Sequence, residues 1–579
     1  VDELPPGLLK NKIKALPPQA KSNALRWLQD FSFPAVDVET LDVDAGGGIY
    51  YVEAAVSEEE IAAASADDAT PQAVPQSTLD DVFLLHSKPS ATYTVFVDFD
   101  GHTFSNTAWS SGTIYAKAYS TDSDFSTFSE SERTRIAHIW HRIAEDMAPF
   151  DIDVTTEEPS SFDRYTGRIL ITSDKQANGA PMPHDSAGGV AYVGVWGLSN
   201  YHTYYSPALV YFDNLGSSNA HNIAEAATHE YGHNLGLSHD GTDVGGAGYY
   251  TGHGSGYVSW APIMGVGYYK HVTQWSKGEY FDANQTQDDL WIIDNQLGYD
   301  FDDHGDTIAA ASALVVTDGN VVSSNPEFDP HNELPANKGI IGHADDVDVF
   351  SFIASAGDVN LTVRPAWDAF YPSSGGNRGA NLDVLAELRD VNDTLITSSD
   401  PTNDTMATIT ASVGEGIYYL LITGVGNSAS PYTDYDSMGQ YFINGAVPMC
   451  VADTTAPTPD PMEFEILPVA TGENTIDMQA RLATDTISSV QYQFRCVAGG
   501  PQGCVDSTWQ SSRDYTAGGL AAGTSYTFSV VARDQSLNET APSSTASATT
   551  VAPPPPPAFT DVSSSSETAV AGSVSGTHS

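Results

Sequence analysis

The stretch from Thr228 to Asp240, T-H-E-Y-G-H-N-L-G-L-S-H-D, constrains this chain more than any other. On a helix, residues four apart are offset by about 6 Å along the axis and only ~40° around it. His229 and His233 therefore project from one face and can close on a single zinc ion at about 2.0–2.1 Å each. Glu230 stands one position on, beside the metal but free to handle a proton instead of ligating. Gly236 permits a backbone with positive φ, which bends the chain back so that His239 can offer a third nitrogen. Three protein ligands leave one coordination position for water, which distinguishes a catalytic zinc from a closed structural one. The helix is expected over His221–Leu235, with Asn222 and Glu225 as a capping box at its start.

The motif H-E-x-x-H-x-x-G-x-x-H, complete here from His229 to His239, resembles that of the metzincin clan of zinc metallopeptidases. Asp240, directly after the third histidine, is similar to the adamalysin/reprolysin-like branch. The clan carries a methionine-containing turn beneath its metal, and A-P-I-M-G-V-G-Y-Y supplies Met264 for that role. Some members add a tyrosine ligand two residues after this methionine. Val266 stands there in this chain, and the nearby tyrosines are Tyr268 and Tyr269. Asp240 and Tyr268 are kept as additional candidate site residues. The resemblance implies a twisted sheet above a cleft, with an edge strand that pairs with extended peptide substrate. It further implies a zinc-dependent endopeptidase in which Glu230 is general base toward a zinc-activated water. No Gly-x-Ser-x-Gly elbow or early cysteine offers a competing nucleophile. The rival expectation is an adhesion or matrix-binding protein with a vestigial zinc domain.

With 579 residues the chain is too long for one core. Its 23 Lys+Arg against 75 Asp+Glu give a net charge of −52. Such a surface repels nucleic acid and anionic membranes, and it suits a saline medium that screens self-repulsion. No apolar run approaches the roughly 18 residues needed to cross a bilayer, so no membrane insertion is expected. The chain opens on VDELPPGLLKNK, as if a signal peptide had been removed. These features lead to an expectation of a secreted monomer that acts on proteins or peptides.

The expected fold class is multidomain: an α+β catalytic domain of twisted sheet plus zinc helix, followed by two all-β sandwiches. Residues 1–85 read as a separate N-terminal unit plus linker, a propeptide or equally a plain N-terminal domain, with helical periodicity, a strand at Ile49–Val52 and an Ala/Ser/Asp/Pro-rich stretch from Glu58 to Asp80. No cysteine precedes Cys450, so thiolate blockade of a metal is excluded. If this unit inhibits, a carboxylate such as Asp37, Asp42 or Asp44 takes the open metal position, or the segment fills the cleft.

Residues 86–300 form the catalytic domain, with a strand in TYTVFVDFDG, a helix over Ser129–Ala148 and strands at Arg168–Thr172, Val190–Val195 and Ala208–Phe212. Residues 301–448 resemble the bacterial pre-peptidase C-terminal β-sandwich through DDVDVFSF and EGIYYLLITG. Residues 459–551 resemble a fibronectin type III domain through GLAAGTSYTFSVVARD, with Tyr526 as its tyrosine corner. Residues 552–579 read as a Pro/Ser/Thr-rich linker or tail. Cys496 and Cys504 flank a Gly/Pro-rich turn and are a candidate disulfide. His138 and His141 read as surface or supporting groups, and His253 as a residue that could border the cleft. The Asp-rich loops Ser120–Asp124 and Asp302–Asp306 lack a full calcium-loop spacing. They read first as solvated turns, with calcium as the second candidate cofactor after zinc.

Overall fold

The structure, a computed structural model, describes residues 4–55, 81–216, 219–317, 320–324, 336–366, 380–448, 455–485, 489–499 and 504–553. The expected linker from Glu58 to Asp80, Cys450 and nearly all of the C-terminal tail lie outside the described residues. Packing divides the chain into two units, Val1–Val451 and Ala452–Ser579.

The first unit is organised by a seven-stranded sheet. Its strands are β1 (Leu41–Val43), β2 (Ile49–Ala54), β3 (Tyr93–Asp98), β6 (Ile152–Thr155), β7 (Thr166–Thr172), β8 (Ala187–Tyr192) and β9 (Ala208–Tyr211), while β4 (Thr103–Ser105) and β5 (Thr113–Tyr115) pair as a separate hairpin. The order across the sheet is β1-β2-β8-β9-β7-β3-β6. Strands β6, β3, β7 and β9 are parallel, as connections through helices and long loops require. Strand β8 runs antiparallel to β9 and is the edge of this five-stranded part. Strands β2 and β1, from the N-terminal unit, extend the sheet antiparallel beyond it. In front of them lie two short helices, α1 (Leu8–Ala15) and α2 (Pro18–Trp27), which bury Leu9, Ile13 and Ala24 against Leu41, Ile49 and Tyr51.

Helix α3 (Glu130–Asp146) begins at Ser129, whose hydroxyl and the Glu132 carboxylate form a reciprocal capping box. Its apolar stripe, Ile136, Ile139, Trp140 and Ile143, is fully buried, and Pro149 follows its end as the periodicity predicts. Helix α4 (Ala220–Leu235) packs on α3 and under β8 and β9. A short parallel pair, β10 (Trp260–Pro262) and β11 (Val272–Gln274), flanks the loop that carries Met264, and helix α5 (Asp289–Leu297) follows.

The rest of this unit is a two-sheet β-sandwich. One sheet contains Asp348–Ala354, Val384–Asp390 and Gly416–Gly424, and the other Gly357–Pro365, Ala407–Val413 and Gly439–Ala446. Alternate residues of Gly416–Gly424 are buried, as a strand covered on one face requires. The sandwich is joined to the β10–β11 segment by backbone bonds between His271, Thr273 and Ala380. The Gln274 amide donates to the Asn381 carbonyl at 2.5 Å and the Trp275 N–H to Asp436 Oδ2 at 2.5 Å. Gln440 donates through backbone and side chain to Glu145 at the end of α3. One core of buried apolar residues consequently runs from Tyr50 through Trp140 and Met264 to Ile443.

The second unit is a sandwich of two three-stranded sheets. Phe464–Ala470, Ile476–Ala480 and Asp514–Ala517 form one; Gln491–Gly499, Ser525–Arg533 and Ala546–Thr549 form the other. Tyr526 is fully buried and its hydroxyl accepts the Ala521 N–H at 2.8 Å, the backbone tie expected of a tyrosine corner. Cys496 and Cys504 are disulfide-bonded.

Candidate metal centre

Helix α4 starts at Asn219, whose side-chain oxygen accepts the His221 and Asn222 N–H groups. The expected capping box of Asn222 and Glu225 is not formed. Both residues lie buried one turn into the helix, and Glu225 pairs instead with Arg142 of α3 at 2.8 Å. The helix stops at Gly236, whose φ of 113° a Cβ-bearing residue would adopt only under strain. The chain then turns back, and Asp240 N–H donates to the Met264 carbonyl at 2.8 Å. Met264 is fully buried under the helix, where a Cβ on Gly232 would stand 2.7 Å from its sulfur. Gly232 is therefore the gap that admits the methionine. The buried Asn234 amide donates to the Tyr192 carbonyl at 2.9 Å and its oxygen accepts from Tyr201, which fixes the helix against the end of β8.

On this frame His229, His233 and His239 converge, all buried. Their ligand atoms and a carboxylate oxygen of Glu53 lie within 4.8 Å of one another. The Nδ1 of His229 faces the Ile263 carbonyl at 2.9 Å and that of His233 the Leu237 carbonyl at 2.8 Å. A carbonyl can only accept, so both Nδ1 atoms carry the proton and both Nε2 atoms present lone pairs to the cluster. Those two Nε2 atoms are buried without a hydrogen-bond partner. This is the arrangement a metal ion would satisfy, with backbone carbonyls orienting its ligands. The donor set of three imidazoles and a carboxylate fits zinc.

Glu230 is buried beside the cluster, and neither of its carboxylate oxygens has a partner. Its carboxylate lies against Gly189 of β8, where a Cβ would collide with it. Burial, with the charge of Glu53 second, pushes the Glu230 carboxyl well above the usual carboxylate range. Burial also pushes His229 down to about 3. At His239 burial opposes the charge, yet Glu53 and Asp37 outweigh it and raise the ring to about 10.

Glu53 is the residue that sequence reasoning missed. It sits on β2, with its Oε1 2.9 Å from His239 Nε2 and 3.5 Å from His233 Nε2, and its Oε2 3.8 Å from His229 Nε2. The Tyr249 hydroxyl donates to its other side. Tyr51, two residues earlier and on the same face, stacks on the His233 ring at 4.2 Å. Asp37, Asp42 and Asp44 do not take the position next to all three histidines. Asp37 accepts from the Tyr51 hydroxyl and stands 3.7 Å from His239 Nδ1, Asp42 pairs with Lys12, and Asp44 accepts from Tyr192. The only signal for Glu53 in the sequence is a single acid in the otherwise uncharged strand IYYVEA.

A cavity of about 250 Å³ opens beside the cluster, lined by Ala54, Glu230, Tyr249, Val266 and Tyr268 among others. Asp240 lies behind His239, where its Oδ1 accepts from Gln285 at 2.9 Å. His253 is held by Tyr250 and the Pro431 carbonyl, and it does not line that cavity. His138 and His141 are buried on α3 rather than at the surface, and neither joins the histidine cluster. Among the Asp-rich loops, Ser120–Asp124 closes on itself through Asp122. Asp302 joins the buried Asp346 and Asp348 in a group whose oxygens lie within 4.8 Å.

Residues 118–240 match the family described as Metallo-peptidase family M12B, Reprolysin-like, a span that includes α3, β6 to β9, α4 and all three histidines. No curated protein matches the chain. Among solved structures, the fibronectin type III domain of human fibronectin type III domain containing protein 3 is 18% identical, with a TM-score of 0.15, over 19% of this chain and 99% of that one. The fn3 domain of human contactin 1 is 17% identical over 18% and 83%, with a TM-score of 0.14. A beta-1,2-glucanase from Parabacteroides distasonis is 15% identical over 34% and 28%, with a TM-score of 0.17. The chain thus carries a reprolysin-like metallopeptidase domain, built around three histidines and a glutamate that could hold zinc.

Proposed function

We propose that this protein is a secreted zinc endopeptidase that cleaves extended polypeptides. The observation that carries the reading is the convergence of three buried imidazoles beside the unpaired carboxylate of Glu230. His229, His233 and His239 would hold the ion, and the Met264 turn and Asp240 keep the third histidine in register with the first two. Zinc in such a site acidifies water toward neutrality and polarises a carbonyl.

Glu230 does the proton work. It stands one residue from a ligand, shielded from solvent, and takes the proton of the attacking water before passing it to the departing amine. Strand β8, whose outer side β2 covers in this structure, supplies the backbone edge on which a substrate strand would pair in place of β2. The cavity lined by Tyr249, Val266 and Tyr268 receives a substrate side chain next to the bond cut. The large negative charge suits a saline extracellular medium. The two sandwiches serve as a pre-peptidase C-terminal-like module and a fibronectin type III-like module.

Casein hydrolysis by the purified protein, with and without a chelator and alongside metal analysis, tests the reading. We expect about one zinc per chain and chelator-sensitive hydrolysis. A zinc-free chain, or hydrolysis indifferent to the chelator, would refute it.

A further inference from the structure

A second group of ligand-bearing side chains lies apart from the histidines, at the junction between the metallopeptidase-like domain and the first sandwich. We propose that Asp302, Asp346 and Asp348 bind a calcium ion there, which ties the segment leaving helix α5 to the sandwich. The group contains neither histidine nor cysteine, and it stands independently of the zinc reading of the histidine cluster.

Asp302 belongs to the stretch that follows α5, whereas Asp348 opens the sandwich strand Asp348–Ala354 and Asp346 stands two residues before it. One carboxylate oxygen from each lies within 4.8 Å of the others, a separation open to oxygens that share one calcium at about 2.3–2.6 Å. The two sandwich acids each have one oxygen engaged and one spare. Asp348 Oδ2 accepts from the Tyr441 hydroxyl at 2.6 Å, and Asp346 Oδ2 from the Gly342 N–H at 2.6 Å. Their Oδ1 atoms are buried without a hydrogen-bond partner, Asp348 being fully enclosed and Asp346 only 9% exposed. Charged oxygens withdrawn from water in this way are costly unless a cation satisfies them. Basic side chains of this region serve other acids: Lys88 pairs with Asp300 at 2.6 Å, and His304 faces Asp303 at 3.8 Å.

Carboxylate oxygens alone select a hard cation over zinc or copper. Calcium accepts about six to eight oxygens in irregular geometry, whereas magnesium demands a near-ideal octahedron. Carboxylates drawn from two separate stretches of chain suit the former. A cavity of about 230 Å³ beside them, lined by Asp302, Asp306, Gly342, Asp345 and Asp346 among others, leaves room for water ligands. The surrounding contacts already draw the two stretches together. Asp303 Oδ1 accepts the Ile340 N–H and Asp306 Oδ1 the Val347 N–H, both at 3.4 Å. The Tyr299 ring packs on Phe150 at 5.2 Å and on His343 at 4.1 Å, and the Asp300 N–H donates to the Pro149 carbonyl at 2.9 Å. Because Pro149 follows α3, an ion here clamps the end of α3, the segment after α5 and the sandwich at one point.

The test uses the full chain as purified, freed of calcium and held at about 0.15 M salt to screen non-specific attraction. Wild type is compared with Asp348→Asn, Asp302→Asn and, as a control on an exposed acid of the second unit, Asp477→Asn. Terbium(III), a hard ion of calcium's size, is the probe, and its emission is sensitised by Tyr441, whose hydroxyl bonds to Asp348. Wild type and Asp477→Asn should show saturable emission that calcium displaces, and both site variants should bind terbium at least about tenfold more weakly. Calcium at about 1 mM should raise the melting temperature of wild type by about 3 °C or more, that of the site variants by under about 1 °C. Magnesium at the same concentration should give less than about half the wild-type shift. Without calcium, Asp348→Asn should melt no lower than wild type, because asparagine keeps an acceptor for Tyr441 and removes a buried charge. A lower melting point there would overturn the ion in favour of a purely structural role. Asp302→Asn alters an exposed residue and guards against a folding defect in the buried variant. Equal terbium affinities or equal calcium shifts in all four chains would overturn the proposal, and an equal shift with magnesium would overturn the choice of calcium.

Discussion

Helices α3 and α4 lie packed against each other, and each buries two histidines, yet only one pair joins the cluster that could hold a metal ion. On α3, His138 and His141 are three residues apart, and on α4, His229 and His233 are four apart. Burial holds His138, His141 and His229 alike down to about 3. Depth and neutrality therefore do not distinguish a ligand. What differs is the surroundings. The α4 rings are oriented by the carbonyls of Ile263 and Leu237, and a third imidazole arrives from beyond Gly236. Beside the α3 pair, burial is followed by the positive charges of Arg142 and Arg135 as the influence on His138. Cationic neighbours are unsuited to a cation site. A buried histidine becomes a ligand only when independent segments deliver companions to the same point.

The largest expected effect comes from breaking one pair and not the other. His233→Ala should lose zinc and reduce hydrolysis to background, while His141→Ala should keep about one zinc per chain, as metal analysis of the purified variants would show. A zinc-free His141→Ala chain that remains folded would erase the distinction drawn between the helices. Next comes Glu230→Ala. It should retain the metal and lose roughly 10²- to 10⁴-fold in turnover, measured under saturating peptide. If turnover is unchanged, the proton must travel by another group.

A smaller effect is expected at the contact between the two helices. Arg142→Met leaves Glu225 and Asp146 buried without their cation. Removing one partner of a buried pair costs about 3–5 kcal/mol. The lower end is expected here, because burial already holds both acids above the usual carboxylate range and either can take up a proton. Denaturant midpoints at neutral pH would measure it, and a loss under about 1 kcal/mol would show that the pair adds little.

The smallest effect concerns a histidine near the surface. His86 lies 2.6 Å from Asp153 and 3.0 Å from Glu157. The hydrogen bond to Asp153 raises its ring to about 9, against the opposing influence of burial. A raised pKa in the folded state gives stability that is complete below the ordinary histidine range and disappears as pH rises through about 9. His86→Asn should therefore lower the melting temperature by about 1–2 °C at pH 6 and by less at pH 10, a modest figure because the pair is partly solvated. An equal loss at both pH values would exclude the ion pair as the cause.

The sequence disclosed what is local. The α4 histidines could be read from a four-residue spacing and the turn from Gly236, because both depend on neighbours along the chain. The start of α4 is legible to within one residue, but its cap is not, for the opposite reason. Asn222 and Glu225 have capping spacing, but Arg142, distant in sequence, draws Glu225 away and leaves Asn219 as the cap. The N-terminal unit showed the same limit. Ile49–Val52 was legible as a strand, whereas its pairing with β8 and the slip that aims Glu53 are set by residues more than a hundred positions away. Asp37, Asp42 and Asp44 looked equivalent candidates because composition carries no direction.

The polar seam between the β10–β11 segment and the first sandwich gives that sandwich a structural duty toward the histidine cluster. The backbone and side-chain bonds of Thr273, Gln274 and Trp275 end on Ala380, Asn381 and Asp436, and the same stretch of chain forms the far wall of the Met264 turn. A chain cut after residue 300 would expose those donors and the apolar surface around them. The metal helix would then rest on a floor with its joists removed. The first sandwich is better regarded as the foundation of the metallopeptidase-like domain than as an appendage to it.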